Sequence, residues 1–317
     1  MQDFISALPG AISQGLIWGL MAIGVYLTYK IMDIADLTVD GSICTGAATF
    51  VVLFSAGVNI WLALLAAFII GVLAGLCTGI FHTLCGIPAI LSGILTQLGL
   101  WSVNLAIMGK ANVSINVVNK EVVDRLLVSM RFLADVSKGN MPFYRHPIFV
   151  VGIVIAAIIV LFYCFFGTEL GCSMRATGSN PNMARAQGIN TGFTRVLALM
   201  ISNGVVALSG ALLAQYQGFA DINMGRGAIV IGLAAVIIGE VVFGKIFRNF
   251  ALKLLSVVLG AVIYYVVIQA ILSIMKLNAN YLKLMSALIV AVFLSIPYWK
   301  NRYFSGRHHK KGGSVNA

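Results

Sequence analysis

Acidic residues are scarce in this chain: Asp and Glu number 10 of 317, against 21 Lys and Arg, and only 10% of positions carry any charge. A water-soluble domain keeps about a quarter of its residues charged, so a soluble globular fold is excluded. Cysteine is sparse too. The five present (Cys44, Cys77, Cys85, Cys164, Cys172) show no C-x-x-C spacing, and four lie in or beside apolar runs. That leaves no basis for a disulfide framework or a thiolate metal site. The histidines, His82, His146, His308 and His309, lack an H-E-x-x-H pattern or a cysteine partner, so metal catalysis has no support. The opening MQDFISALPG lacks a basic n-region and a small-residue cleavage site, so the first apolar run is expected to be a retained anchor rather than a signal peptide.

What is abundant is apolar surface. Hydrophobic residues make up 60% of the chain and the mean hydropathy is +0.98, the composition of an integral membrane protein. Glycine, 33 of 317, is plentiful, as where helices pack closely in lipid. The formal charge of +11 resides in short loops and the tail, which is a topology signal and not a nucleic-acid surface. Runs of about 20 apolar residues cross the hydrocarbon layer. They fall near residues 11–29, 37–54, 60–81, 87–108, 148–166, 195–216, 227–243, 252–274 and 281–299. The fold expected is an all-α polytopic transmembrane bundle of about nine spans, or ten if the second is broken at its polar and glycine positions. Broken helices are tolerated at membrane depth only when buried in protein. Gly71, Gly75 and Gly79 form a small-residue face at helical spacing, suited to tight helix packing.

The long polar interruption 167–193, GTELGCSMRATGSNPNMARAQGINTGF, has a local design. Ser179 or Asn180 suits a helix N-cap, Pro181 the first helical position, and Gly188 the left-handed closing residue. This predicts a helix of about two turns held in a loop at the membrane surface. Such a knob is built for docking; the alternative is an ordinary solvated turn.

The pattern Met174-Arg175-Ala176-x-Gly178-x-Asn180-x-x-x-Ala184-Arg185-x-x-Gly188-Ile189 resembles the cytoplasmic coupling loop of ABC importer permeases of the branched-chain amino-acid and ribose type. Asp36-Leu37-Thr38-Val39-x-Gly41 and the run 234–239 extend the likeness over most of the chain, and within the family it looks closest to permeases for hydrophobic or aromatic amino acids. The resemblance implies the membrane subunit of an ATP-driven importer for a small solute, an amino acid by preference. It implies a homodimer with two ATP-binding subunits and an extracytoplasmic binding protein, in contact with membrane lipid and not nucleic acid. It implies further that no cofactor belongs to this chain, with ATP and magnesium on the partner subunit. Arg175, Gly178, Asn180, Pro181, Ala184, Arg185 and Gly188 are then the ATPase-coupling residues. The permease domain is expected over 1–300, with an extracytoplasmic loop at 109–147, the coupling loop at 168–193 and a basic cytoplasmic tail at 301–317.

Placing the coupling loop inside puts the N-terminus outside and the C-terminus in the cytoplasm. The inner segments then hold Lys30, Arg175, Arg185, Arg195, Lys245, Arg248, Lys253, Lys300, Arg302, Arg307, Lys310 and Lys311. With the long 109–147 loop set aside, the outer ones keep Arg226, Lys276 and Lys283, a positive-inside bias. In that loop, 119–135 (NKEVVDRLLVSMRFLAD) reads as one amphipathic helix. Arg125, Arg131 and Asp124 are candidates for docking a binding protein; the alternative is a helix that merely caps the bundle. Asn112-Val113-Ser114 matches a glycosylation sequon.

Ile12-Ser13-Gln14-Gly15 precedes Ala35-Asp36-Leu37-Thr38 much as Ile201-Ser202-Asn203-Gly204 precedes Ala220-Asp221-Ile222-Asn223. With the orientation above, this is the sign of an inverted repeat. Asp40, Gly41, Ser42, Thr45, Asn223 and Gly227 at the two junctions are candidates for the translocation pathway. Asp33, Asp36 and Asp40 support a rival function, an ion-coupled secondary transporter, since ionisable groups at membrane depth are functional hypotheses. The competing role for Asp36 and Asp40 is to start a helix, where the dipole favours negative charge. Glu240 is a further intramembrane acid, with Lys245 or Arg248 as nearby partners. Gly239–Lys245 approaches a P-loop, but Ile246 replaces the magnesium-binding hydroxyl, so the chain is not expected to bind ATP or to be an enzyme.

Overall fold

The computed structural model describes residues 2–115, 120–137, 145–275, 284, 286–293 and 295. Of the ninth expected span, 281–299, residues 284, 286–293 and 295 are described, and the tail 301–317 lies outside the described residues. Helix α1 (Gln2–Tyr26) runs into a π-helical turn, Leu27–Ile31. The chain is then non-helical to Thr38 before α2 (Val39–Ser55). Helices α3 (Ile60–Thr83) and α4 (Ala89–Met108) form a hairpin of two long apolar helices. A short strand β1 (Asn112–Ser114) and two short helices, α5 (Lys120–Asp124) and α6 (Met130–Ser137), follow. Then come α7 (Pro147–Phe166), the small α8 (Glu169–Ser179) and α9 (Pro181–Ala186), and the long α10 (Thr191–Gln217). Strand β2 (Phe219–Asp221), α11 (Ala228–Phe243) and α12 (Phe250–Met275) complete the labelled elements.

Among the described residues, six helices are long and apolar enough to span a bilayer: α1 with its π turn, α3, α4, α7, α10 and α12. The expected spans at 37–54 and 227–243 are apolar helices of 17 and 16 residues, shorter than the six. The second span is not interrupted at Gly41 or Gly46, which lie in the unbroken α2. The interruption precedes it, at 32–38. There Asp36 lies against Asn203, twelve residues into α10, about 18 Å along that helix. Non-helical backbone at such depth requires protein around it and partners for its amides. Ile34 N–H donates to the Thr28 carbonyl and Thr38 N–H to Asp36 Oδ1, both at 2.9 Å.

Helices α1 and α10 occupy the centre, with 78% and 72% of their apolar windows buried, against 22% for α4 and α7. Helix α10 packs on α3, α2 and α1, and α1 on α12 and α11. The α3 glycines face α10 as their spacing predicts: Gly71 lies on Asn203 and Ala207, Gly75 on Leu199 and Gly79 on Val196. A β-carbon at Gly75 would strike the Leu199 carbonyl, so backbone proximity is what these positions supply. The fold is not purely helical. Strands β1 and β2 pair antiparallel, Asn112 opposite Asp221 and Ser114 opposite Phe219, at the end of the bundle away from α8 and α9. The sequon asparagine thus lies in a strand, where its Nδ2 donates to Asp221 Oδ2 at 3.3 Å.

Candidate functional site

Two features stand out: a pair of short helices at one end of the bundle, and a polar cluster at membrane depth. The pair is α8 and α9. Asn180 and not Ser179 is the cap of α9; its Oδ1 accepts from Asn182 and Met183 N–H, each at 3.1 Å. Pro181 takes the first helical position and Gly188 the left-handed one, φ +81°. Residues Met183, Arg185 and Gln187 face solvent while Ala184 is buried. The preceding α8, capped by Thr168 Oγ1 on Gly171 N–H, is an element the sequence was not expected to form. Its buried residues Gly171, Met174 and Thr177 recur every third position, a helical period hidden by two glycines and little apolar mass.

Several residues assigned to coupling hold this knob together. Arg185 Nε donates to Thr191 Oγ1 at 2.9 Å, and Arg175 Nη2 to the Phe166 carbonyl at 3.0 Å. Thr177 and Thr194 share a hydroxyl bond at 3.0 Å that fastens α8 to α10. Gly178 rests on the Ile31 carbonyl, at the end of α1. One residue earlier, Lys30 bridges both Glu240 oxygens, at 2.8 and 2.9 Å. Glu240 therefore pairs across the bundle with α1, and not with Lys245 or Arg248. The knob touches α1 directly, and α1 touches α11.

The carboxylates of the Asp33, Asp36 and Asp40 group do not act together. Asp33 is exposed, with φ +54°. Asp36 is buried; beyond its bond to Thr38 N–H, its Oδ2 accepts from Asn203 Nδ2 at 2.7 Å. Asn203 Oδ1 in turn accepts from Ser42 Oγ at 2.6 Å. Thr38, Thr78 and Thr96 hydroxyls continue the network, at 2.7 and 3.0 Å, across to α3 and α4. A network with its donors and acceptors matched is rigid glue at low dielectric. Asp40 starts α2, but the helix it caps is α11: its oxygens accept from Gly227 and Ile229 N–H, both at 2.9 Å. This supplies a negative charge where the α11 dipole is positive.

Of the other pathway candidates, Ser42 and Thr45 are buried, Thr45 Oγ1 donating to the Gly41 carbonyl at 2.9 Å. Asn223 is exposed and its N–H donates to Asp221 Oδ1 at 2.7 Å. That turn repeats the Asp36–Thr38 one. Asp40 and Gly41 border a recess of about 110 Å³ with Trp101 and Arg226. Arg226 and Gly227 also border a cavity of about 710 Å³ between α1, α11 and α12, lined by Trp18, Tyr216 and Tyr265. Sequence reasoning passed over Asn203 and the threonine ladder, although a polar amide in the middle of an apolar run is itself a signal.

At the far end, residues 119–135 are not one helix. Helices α5 and α6 are separated by a stretch in which Leu126 and Val128 are both buried, and Leu127 N–H donates to Gln215 Oε1 at 3.3 Å. Arg125 donates to the Gly57 carbonyl at 3.3 Å and lies 5.8 Å from the Phe54 ring centroid. Asp124 pairs with Arg145 at 3.1 Å. Arg131 is exposed. The first two are thus tied to the bundle's own surface.

Comparison with known proteins adds the following. A family model described as branched-chain amino acid transport system / permease component matches residues 8–294. The "Tyrosine transport system permease protein" of Clostridioides difficile is 37% identical over 291 residues, 92% of this chain and 91% of that one. An uncharacterized protein of Rickettsia prowazekii is 32% identical over 92% of this chain and 98% of its own length. The "Autoinducer 2 import system permease protein" of Salmonella typhimurium is 24% identical over 95% of this chain and 75% of its own. Among solved structures, PsaBC from Streptococcus pneumoniae in complex with Fab superposes with a TM-score of 0.54 at 17% identity, covering 97% and 99% of the two chains. That likeness extends to the fold alone.

Proposed function

The chain belongs to the branched-chain amino acid transport system permease family, a multi-pass membrane subunit of ABC importers, and we propose that it carries an amino acid across the membrane with ATP hydrolysed on a separate subunit. The capped α8–α9 pair carries this reading. It is a rigid, solvent-facing knob seated on the end of α1, the geometry needed to turn a partner's movement into helix displacement. Closure of an ATPase dimer around the knob shifts α1 and, through Lys30 and Glu240, α11. The re-entrant segment 32–38 and the 218–227 turn lie where those helices meet α2 and α10.

We place α8 and α9 in the cytoplasm and the N-terminus outside. Lys30, Arg175, Arg248 and Lys253 gather around one cavity at the α8–α9 end, which agrees with the positive-inside rule. An extracytoplasmic binding protein then delivers solute at the β1–β2 end, and two copies of this chain form the pathway. The aromatic-lined cavity beside Arg226 and the tyrosine-permease relative make aromatic amino acids the first solutes to test. The carboxylates offer nothing to the ion-coupled alternative, because Asp36 and Asp40 are each held by structural hydrogen bonds. Purification of the tagged chain should bring down an ATP-binding subunit. Uptake of labelled tyrosine by the complex, with ATP and binding protein, tests the assignment. A chain that purifies alone and transports alone would refute it.

A further inference from the structure

Beside the knob, at the junction of the bundle with water, lies a cavity of about 850 Å³ bounded by the ends of α1, α7 and α8 and the start of α12. Four cations line it: Lys30, Arg175, Arg248 and Lys253. Lys30 is paired with Glu240, and Arg175 is bonded only to the neutral Phe166 carbonyl and Cys172 Sγ. Arg248 and Lys253 make no side-chain hydrogen bond or ion pair with any described residue. Three cations therefore line one space whose described lining holds no carboxylate, an arrangement that favours entry of an anion. Helix α12 begins at the same wall, Asn249 accepting from Lys253 N–H at 2.9 Å. Its first-turn amides have no partner one turn back, and a helix N-terminus favours an anion.

The remaining wall fixes what kind of anion fits. Phe166 and Phe250 pack at 4.9 Å between centroids with their planes tilted by 54°, and buried Tyr26 and exposed Tyr163 also line the wall. An exposed tyrosine at such a junction marks the headgroup level of a bilayer. Above Tyr163, α7 continues as an exposed apolar face through Leu161 and Val160, a surface for hydrocarbon chains. A free phosphate needs the cations but not this apolar ramp.

We propose that this cavity binds the phosphate headgroup of an anionic phospholipid, with Arg248, Lys253 and Arg175 on the phosphate and the acyl chains along α7. Since Gly178 and Ser179 of the knob also border the cavity, an occupied site braces α8 against α1 and α12. Basic pockets between membrane helices recognise such headgroups, each cation near the surface adding to the attraction.

The full-length chain, purified with its copurifying subunits from membranes containing phosphatidylglycerol and phosphatidylcholine, provides the test. Native mass spectrometry should show phosphatidylglycerol retained over phosphatidylcholine. The double variant Arg248→Gln/Lys253→Gln should lose that retention at least about tenfold. The charge-keeping pair Arg248→Lys/Lys253→Arg should retain it, which guards against a variant that misfolds. Equal retention of both lipids, or undiminished phosphatidylglycerol in the glutamine variant, would overturn the proposal. So would displacement of the lipid by inorganic phosphate alone, which would make this a small-anion site. Loss of a partner subunit with lipid retained would show a protein-docking surface instead.

Discussion

The Ile31 carbonyl lies directly against Gly178, with no space between them for a β-carbon. Residue 31 ends the π turn that closes α1, and residue 178 belongs to the knob. The contact is backbone to backbone, so displacement of α8 reaches α1 without a flexible side chain in between. We therefore expect Gly178→Val to break the link. Overpacking here should cost about 1–3 kcal/mol, seen as a lowered melting temperature, and uptake should fall further than ATP hydrolysis does. The check is the ratio of solute moved to ATP consumed in proteoliposomes; an unchanged ratio counts against transmission through this contact.

The knob itself is tested at Ala184 and Arg185. Ala184 is buried and its N–H donates to the Asn180 carbonyl at 3.0 Å. Proline at 184 removes that donor and crowds the turn before it, at about 3 kcal/mol. Arg185→Glu reverses an exposed charge and removes the bond to Thr191. Both variants should insert normally and lose most ATP-driven uptake. Normal transport by either, with the ATPase present, would mean that α9 is not where the ATPase acts.

His146 sets a pH dependence. It caps α7 by accepting Ile148 N–H on Nδ1 at 3.3 Å, which only an unprotonated nitrogen can do. Burial holds its pKa below the usual value. The folded state thus binds the proton less readily than the unfolded one, so this stabilisation is complete above the ordinary histidine pKa of about 6.5 and is lost as pH falls from there through the lower folded pKa. Melting temperature should drop on acidification, and His146→Asn, which can still cap, should flatten the drop. Identical pH profiles for the two would contradict this.

At the β1–β2 end the two arginines separate. Arg125 is bonded to Gly57 and lies near Phe54, so Arg125→Glu should lower stability by roughly 1 kcal/mol. Arg131 is exposed, so Arg131→Glu should spare stability and weaken stimulation of the ATPase by the binding protein, more at low salt. ATPase rate against binding-protein concentration at two salt levels decides. Unaltered curves for Arg131→Glu would leave α5 and α6 as a cap on the bundle.

What could be foreseen from the sequence divides by range. The long apolar helices were legible because membrane crossing is a property of each segment alone. So was the α9 turn, since Asn180, Pro181 and Gly188 act within nine residues. Helix α8 was not, because its small buried face is divided among α7, α10 and the end of α1, and carries little apolar mass of its own. The break at 32–38 was placed too late, in α2, because the residues that satisfy it, Asn203 and Thr78, lie on other helices. Lys30 and Glu240 stand 210 positions apart, beyond any local pattern. The outer segment was misread as one helix because Gln215 of α10 draws out the backbone at Leu127.

The most direct measurement compares energy sources in one preparation. Proteoliposomes holding this chain with its ATP-binding subunit and binding protein are given labelled tyrosine, and uptake is followed with ATP alone and with an imposed pH gradient alone. Uptake should need ATP and ignore the gradient, and Asp40→Asn should behave the same, since Asp40 holds the start of α11. Uptake driven by the gradient in vesicles emptied of ATP would contradict the ATP-driven reading and return the carboxylates to a transport role.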